Sequence, residues 1–90
     1  MKYAFRWRDR AVRQLRAIPQ SDALTILRAL SALGDDPRRP GANVKKIANY
    51  ADRYRLRVGD YRVIYDVEGA QLMILVVAVG HRRDIYRALQ

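Results

Sequence analysis

The spacing of apolar residues changes along the 90-residue chain and divides its first half into predicted elements. Over residues 2–7, aromatic side chains alternate with polar or small ones, a period of two that predicts a half-buried strand. Apolar residues then recur at helical spacing over residues 9–18 and 21–33, and Pro19 and Gly34 stand where the two helices should end. We therefore expect one strand followed by two helices.

The second half of the chain has the pattern of a β meander. Residues 53–67 read as two strands joined by a tight turn at Gly59 and Asp60. The apolar run over residues 72–79 predicts a central strand that is covered on both faces.

Two further segments complete the predicted order. Residues 43–52 show no clear period and are predicted to be a loop, and residues 83–89 have room only for a short C-terminal helix. The order β-α-α-β-β-β indicates an α+β fold in which two helices pack on one face of a small, mainly antiparallel, four-stranded sheet. The length favours a single domain over residues 1–90.

The charge of the chain limits the kinds of partner it can bind, which the hydrophobic pattern does not show. The chain has 18 Lys and Arg residues against 9 Asp and Glu, and all but three of the basic residues are Arg, whose planar fork suits phosphate. A polyanion or an acidic protein partner is therefore expected. With no Cys and one His, we expect neither a disulfide nor a metal or other cofactor. The N-terminus lacks the apolar core of a signal peptide and residues 72–79 are too few to span a bilayer, so a cytoplasmic protein without membrane contact is expected.

Strand register concentrates the basic residues of the hairpin. With the turn at Gly59 and Asp60, Arg55, Arg57 and Arg62 share one face, and Arg57 lies directly opposite Arg62. The other face, which the helices could cover, is apolar and carries Tyr54, Leu56, Val58, Tyr61, Val63, Tyr65 and Val67. Like charges opposed across a strand pair are unfavourable by about 0.2 to 1 kcal/mol. Two interpretations remain open: the cluster awaits a phosphate, or it is a solvated face partly neutralised by nearby Asp residues, namely Asp60, Asp66 and Asp84.

Residues 80–86 (GHRRDIY) leave the predicted central strand beside this hairpin, so the two basic elements should converge. His81 is the side chain suited to proton transfer near neutral pH, and Tyr86 offers a hydroxyl and a face for base stacking. The alternatives are an exposed His81 without a role and a Tyr86 that anchors the terminal helix.

The segments YRLRVGDYRVIY (54–65) and GHRRDIY (80–86) together resemble the RelE branch of the RelE/ParE toxin superfamily, and the element order and length agree over most of the chain. The resemblance implies a type II toxin that enters the ribosomal A site and cuts mRNA without metal, by attack of a ribose 2′-hydroxyl on the adjacent phosphate. It also implies mRNA and ribosomal RNA as partners, and a RelB-like antitoxin that neutralises the basic surface.

Carried over by position, the resemblance assigns roles to individual residues. Arg55 and Arg57 fall near the scissile phosphate, Arg62 and Arg82 stabilise it, and Tyr86 stacks on a base. Both residues of the first pair are Arg, which is almost never deprotonated, so His81 is suggested as an alternative acid or base. Further RNA contacts are predicted for Lys45, Lys46, Arg53 and Arg83.

Two other functions compete with the nuclease hypothesis. The ParE branch has the same fold but inhibits DNA gyrase by binding and needs no catalytic residues. A non-catalytic basic protein that binds nucleic acid through charge alone is the third possibility.

Overall fold

Two helices and five strands make up the part of the chain that the computed structural model describes, residues 2–39, 41 and 43–85. In chain order the elements are β1 (Ala4–Trp7), α1 (Asp9–Arg16), α2 (Gln20–Ser31), β2 (Val44–Lys46), β3 (Arg53–Val58), β4 (Tyr61–Glu68), a 3₁₀ turn (Gly69–Gln71) and β5 (Met73–His81). The predicted α+β class and the order of its main elements are confirmed.

The strands form one sheet in the spatial order β1-β5-β4-β3-β2. β1 runs parallel to β5 and the other neighbours are antiparallel, as the mainly antiparallel prediction requires. The predicted count of four strands was wrong, because residues 43–52 contain β2, which pairs Lys45 with Arg55. β2 has only three residues, two of them Lys, and bonds to one neighbour, so it carries no apolar alternation that a pattern could detect.

The helices cover one face of the sheet and form the larger core with it. This core comprises Tyr3, Ala11, Ile26, Leu30, Leu33, Tyr54, Leu56, Val63, Tyr65, Val67, Ile74, Val76 and Val79. Leu27, one of the apolar residues that recur over the predicted second helix, is exposed, because α2 buries a narrower stripe around Ile26 and Leu30. The seven hairpin positions predicted for this face all lie in or against this core.

A smaller apolar cluster lies on the opposite face, where Ile64 of β4 packs with Val77, Ala78 and Ile85. The register of β4 and β5 shifts here: Ile64 pairs with Ala78, but Tyr65 pairs with Val76, so Val77 is the extra residue of a β-bulge. Buried residues on both sides of β5 confirm the prediction of a central strand covered on both faces.

Side chains bind the connecting segments to this framework. Gln14 of α1 accepts a hydrogen bond from the Val79 amide of β5 at 2.8 Å. The pairing of β5 with β1 ends at Val76, so Gln14 takes the place of a strand partner for Val79. The buried Tyr65 hydroxyl donates to the Pro37 carbonyl at 2.7 Å and so holds the connector that follows α2.

Residues 82–85 fold into a turn after β5, and the remainder of the predicted C-terminal helix, residues 86–89, lies outside the described residues. Within the described ranges, no helix is long and apolar enough to cross a membrane.

Candidate nucleic-acid interface

The face of the sheet away from the helices carries a row of arginines from the β3–β4 hairpin. Val58 pairs with Tyr61 and Arg57 with Arg62, which confirms the predicted register. Because side chains alternate along a strand, Arg53, Arg55 and Arg57 of β3 and Arg62 of β4 project to one side. We call this surface the arginine face.

Arg62 is held by the turn that precedes it. Its Nη1 atom donates to the carbonyls of Gly59 and Tyr61, each at 2.9 Å. Gly59 adopts φ +58°, a left-handed conformation that suits glycine in such a turn. These carbonyl acceptors orient the guanidinium before any ligand arrives.

Arg57, directly across from Arg62, is exposed. Of the Asp residues considered as neutralising partners, Asp66 pairs with Arg53, and Asp60 lies 3.9 Å from Arg82. Among the residues that the structure describes, no ion pair joins a carboxylate to Arg57. The turn end of the arginine face therefore keeps a like-charge pair.

Arg53, which was predicted from the sequence to contact RNA, forms an ion pair within the protein. Its Nε and Nη2 atoms donate to the two oxygens of Asp66 at 2.6 and 2.9 Å, and the guanidinium lies 4.2 Å from the centre of the Tyr50 ring. The carboxylate raises the pKa of Arg53 above its ordinary value. Charge neutralised in this way contributes little to binding a phosphate.

Lys45, Lys46, Arg55 and Ile47 line a small cleft of about 170 Å³ at the β2 edge of the sheet. Register places Lys45 directly opposite Arg55, so β2 extends the cationic surface beyond the hairpin. The strand that the sequence did not reveal thus brings together three of the predicted RNA-contacting or catalytic residues.

The C-terminal turn meets the hairpin at the turn end of the arginine face. Gly80 pairs with Arg62, and the Arg82 amide donates to the Asp60 carbonyl at 2.8 Å. The exposed Arg82 side chain approaches Asp60, with 3.9 Å between Nε and Oδ1. The two basic elements therefore converge as the sequence predicted. Arg83 is exposed on the same turn, and Tyr86 lies outside the described residues.

His81 is placed apart from the arginines. It pairs with Tyr61, its ring lies edge-on to the Tyr61 ring with 6.1 Å between centroids, and it lines a cavity with Asp22 and Thr25 of α2. This is the helix-covered face, opposite to Arg57 and Arg62. The β-bulge is the cause: if side chains alternated strictly from Val76 to His81, with Val77 paired like its neighbours, His81 would point to the arginine face.

Two basic residues of the connector after α2 were not singled out from the sequence. Arg39 lines a groove of about 710 Å³ together with Arg57, Leu33 and Val44. Arg38 donates from two nitrogens to Asp52, and this hydrogen bonding holds the pKa of the Asp52 carboxyl below its usual range. The sequence signal for these two residues was the RR pair within PRRPG (37–41). A turn-rich segment after a helix must return to the sheet, and it carries its charged side chains back with it.

Among the described residues, no three His, Asp or Glu side chains are grouped so that they could hold a metal ion. What the site offers chemically is oriented cationic charge. Such charge can bind a phosphate or stabilise a phosphorane, but it supplies no group that readily accepts a proton.

The sequence has recognisable relatives. Residues 5–86 match the profile of the family described as the ParE toxin of the type II toxin–antitoxin system parDE. The chain is 30% identical over 88 residues to a protein of Escherichia coli described as RelE-like toxin, covering 96% of this chain and 92% of that one. It is 28% identical over 88 residues to toxin RelG of Mycobacterium tuberculosis, covering 97% and 99%.

Solved structures show the same architecture. The archaeal RelE–RelB complex from Pyrococcus horikoshii is similar with a TM-score of 0.79 and 28% identity, over 91% of this chain and 97% of that one. The free E. coli toxin RelE, in a double arginine-to-alanine variant, is similar with a TM-score of 0.81 over 98% and 94%. At 23% identity the second likeness shows the fold alone.

Proposed function

Because this chain belongs to the RelE/ParE family of type II toxins, we propose that it is a ribosome-dependent endoribonuclease that cuts mRNA in the ribosomal A site. The observation that supports this most is the like-charge pair of Arg57 and Arg62. Two carbonyls fix Arg62, and among the described residues no carboxylate forms an ion pair with Arg57. A fold does not keep such a pair for stability, so a ligand that carries negative charge is its most direct explanation.

In the proposed reaction the ribose 2′-oxygen attacks the adjacent phosphorus. The bond from phosphorus to O2′ forms and the bond to O5′ breaks, which leaves a 2′,3′-cyclic phosphate on one fragment and a 5′-hydroxyl on the other. Arg62 and Arg82 stabilise the charge on the pentacoordinate phosphorus, and Arg55 and Arg57 hold the phosphate. Tyr86 is assigned to base stacking by its position in GHRRDIY alone.

The reaction also moves a proton from the 2′-hydroxyl and delivers one to O5′. Guanidinium groups are almost never deprotonated, so an arginine face is a poor proton acceptor. A site that works through charge and orientation gains most when another body arranges the substrate. This is the physical argument for ribosome dependence: the ribosome would hold the codon in the conformation that in-line attack requires.

The same surface accounts for the proposed protein partner. The similar P. horikoshii structure is a complex of RelE with RelB, and the matched family is defined by toxin–antitoxin systems. We propose that a RelB-like antitoxin with acidic segments binds this chain and neutralises its charge of +9.

The test is to add the purified protein to ribosomes programmed with a defined mRNA and to map cuts by primer extension. We expect a cut within the A-site codon, and none when the nucleotide that supplies the 2′-hydroxyl is replaced by its 2′-deoxy form. Arg62→Ala and Arg82→Ala should each relieve growth arrest in cells while antitoxin binding stays measurable. Full toxicity of both variants would exclude the proposed site.

A ParE-like inhibitor of DNA gyrase is the second candidate. Two observations favour it: the matched family is described as ParE toxin, and His81, the candidate proton-transfer residue, lies on the other face of the sheet from Arg57 and Arg62. Intact mRNA on programmed ribosomes, together with inhibited supercoiling by gyrase, would establish this function in place of the nuclease.

A further inference from the structure

The imidazole of His81 is an acceptor in this fold. Its Nδ1 atom accepts a hydrogen bond from the backbone amide of Arg83 at 3.2 Å. A nitrogen that accepts a hydrogen bond carries no proton, so the neutral ring holds its proton on Nε2. Protonation of the ring would convert this acceptor into a donor and break the contact.

That contact belongs to a set that builds the turn after β5. Three successive amides are bonded: Arg82 donates to the Asp60 carbonyl at 2.8 Å, Arg83 to the His81 ring, and Asp84 to the His81 carbonyl at 2.8 Å. The turn then ends at Ile85, which is buried against Ile64 and Ala78 on the arginine face. His81 thus supplies two of the three acceptors that set the path of the chain through Arg82.

The ring is itself braced from the helix side. The Tyr61 hydroxyl donates to Asp22 of α2 at 3.3 Å, and the Tyr61 ring meets His81 edge-on. Partial burial and the Asp22 carboxylate raise the pKa of Tyr61, so the phenol stays protonated and keeps this donor role. The contacts form a chain from α2 through Tyr61 to the turn that carries Arg82.

We propose that His81 is a positioning residue, whose neutral Nδ1 acceptor fixes the turn and so places Arg82 at the end of the arginine face. In this role His81 transfers no proton to or from the RNA. The effect on cleavage rests on the proposed function, whereas the effect on the turn does not.

Two variants separate positioning from proton transfer. The side-chain oxygen of Asn can take the place of Nδ1, whereas that of Gln reaches the place of Nε2. His81→Asn should therefore keep the acceptor for Arg83 and cleave roughly tenfold faster in single turnover than His81→Gln, about the worth of one hydrogen bond. Thermal unfolding of both variants checks that each is folded. Equal loss of cleavage in both would overturn the proposal.

The pH dependence of cleavage is a second, independent test of the positioning role. The charged groups around the ring are Asp22 from α2, Asp60 from the hairpin turn, and Arg82, Arg83 and Asp84 from its own segment. Since only the neutral ring accepts from Arg83, acid that protonates the ring should lower the ratio of wild-type to His81→Asn cleavage. A ratio that rises as the pH is lowered would identify His81 as a proton donor and overturn the positioning role.

Nuclear magnetic resonance tests the turn without any activity. In the free wild-type protein with the ring in its neutral form, the ¹⁵N resonances should show an unprotonated Nδ1 and a protonated Nε2, and the Arg83 amide should lose its hydrogen-exchange protection when the ring is protonated. A protonated Nδ1 in the neutral ring would overturn the inference. Absence of mRNA cleavage by a protein with the expected spectra would instead reject the proposed nuclease and leave the positioning of the turn established.

Discussion

The two ends of the β3–β4 hairpin carry opposed charged residues on the same face of the sheet, yet they are built differently. At the open end Arg53 faces Asp66, and at the turn end Arg57 faces Arg62. The first pair is bidentate and part-buried, whereas the second brings two cations together. Opposite charges across a strand support the fold and like charges oppose it, so the turn end is where a function other than stability is expected.

The hydrogen-bond acceptors of Arg53 and Arg62 also differ between the two ends of the hairpin. Arg53 donates to a carboxylate, which cancels its charge, and packs over the Tyr50 ring. Arg62 donates to the neutral carbonyls of Gly59 and Tyr61, which restrict the motion of its guanidinium. A cation held in a fixed orientation can stabilise the negative charge that develops on phosphorus.

The largest expected effect comes from removing the oriented cation. Arg62→Ala should lower single-turnover cleavage of A-site mRNA by roughly 100- to 1000-fold, the range seen when one preorganised donor is lost from a transition state. Its stability should change little, because the lost carbonyl contacts are offset by the relief of repulsion from Arg57. Quench-flow cleavage on programmed ribosomes and urea unfolding measure the two quantities.

Arg53→Ala is the matched control, since it removes the same charge from the same face of the same hairpin. We expect unfolding free energy to fall by about 1 to 3 kcal/mol, because Asp66 is left part-buried without its donor. Cleavage by the folded protein should stay within roughly fivefold of wild type, about 1 kcal/mol of transition-state binding. Equal losses of cleavage in the two variants would mean that net charge, and not position, governs the reaction.

The sequence predicts the hairpin well because a tight turn and a period of two leave one register that buries the apolar side chains. The same register places Arg53 opposite Asp66. The position of His81 could not be predicted, since it depends on the bulge at Val77, and several small apolar residues of β5 could each have been the extra one. Strict alternation along the same sequence would have placed His81 on the other face of the sheet.

Acid should weaken the ion pair between Arg38 and Asp52. Arg38 lowers the pKa of Asp52, so the stability from this pair is fully present above the unfolded pKa, about 3.9 for Asp, and is lost as the pH falls through the lower folded value. Wild-type unfolding free energy should therefore decline below about pH 4, and Asp52→Asn should show a shallower decline. Urea titrations at several pH values measure both slopes. An unchanged slope in Asp52→Asn would show that other carboxyls control the acid response.

The smallest expected effect is the most direct test of the contrast, because its sign is unusual for a substitution at a candidate active site. Arg57→Glu creates an opposite-charge pair with Arg62 and should raise unfolding free energy by about 0.2 to 1 kcal/mol. The same substitution should also lower cleavage, since a carboxylate would repel the phosphate. Arg57→Gln, which removes repulsion without adding attraction, should gain less stability. Loss of stability in Arg57→Glu would show that the turn end is not electrostatically strained, and the argument for a ligand at Arg57 and Arg62 would then lose its basis.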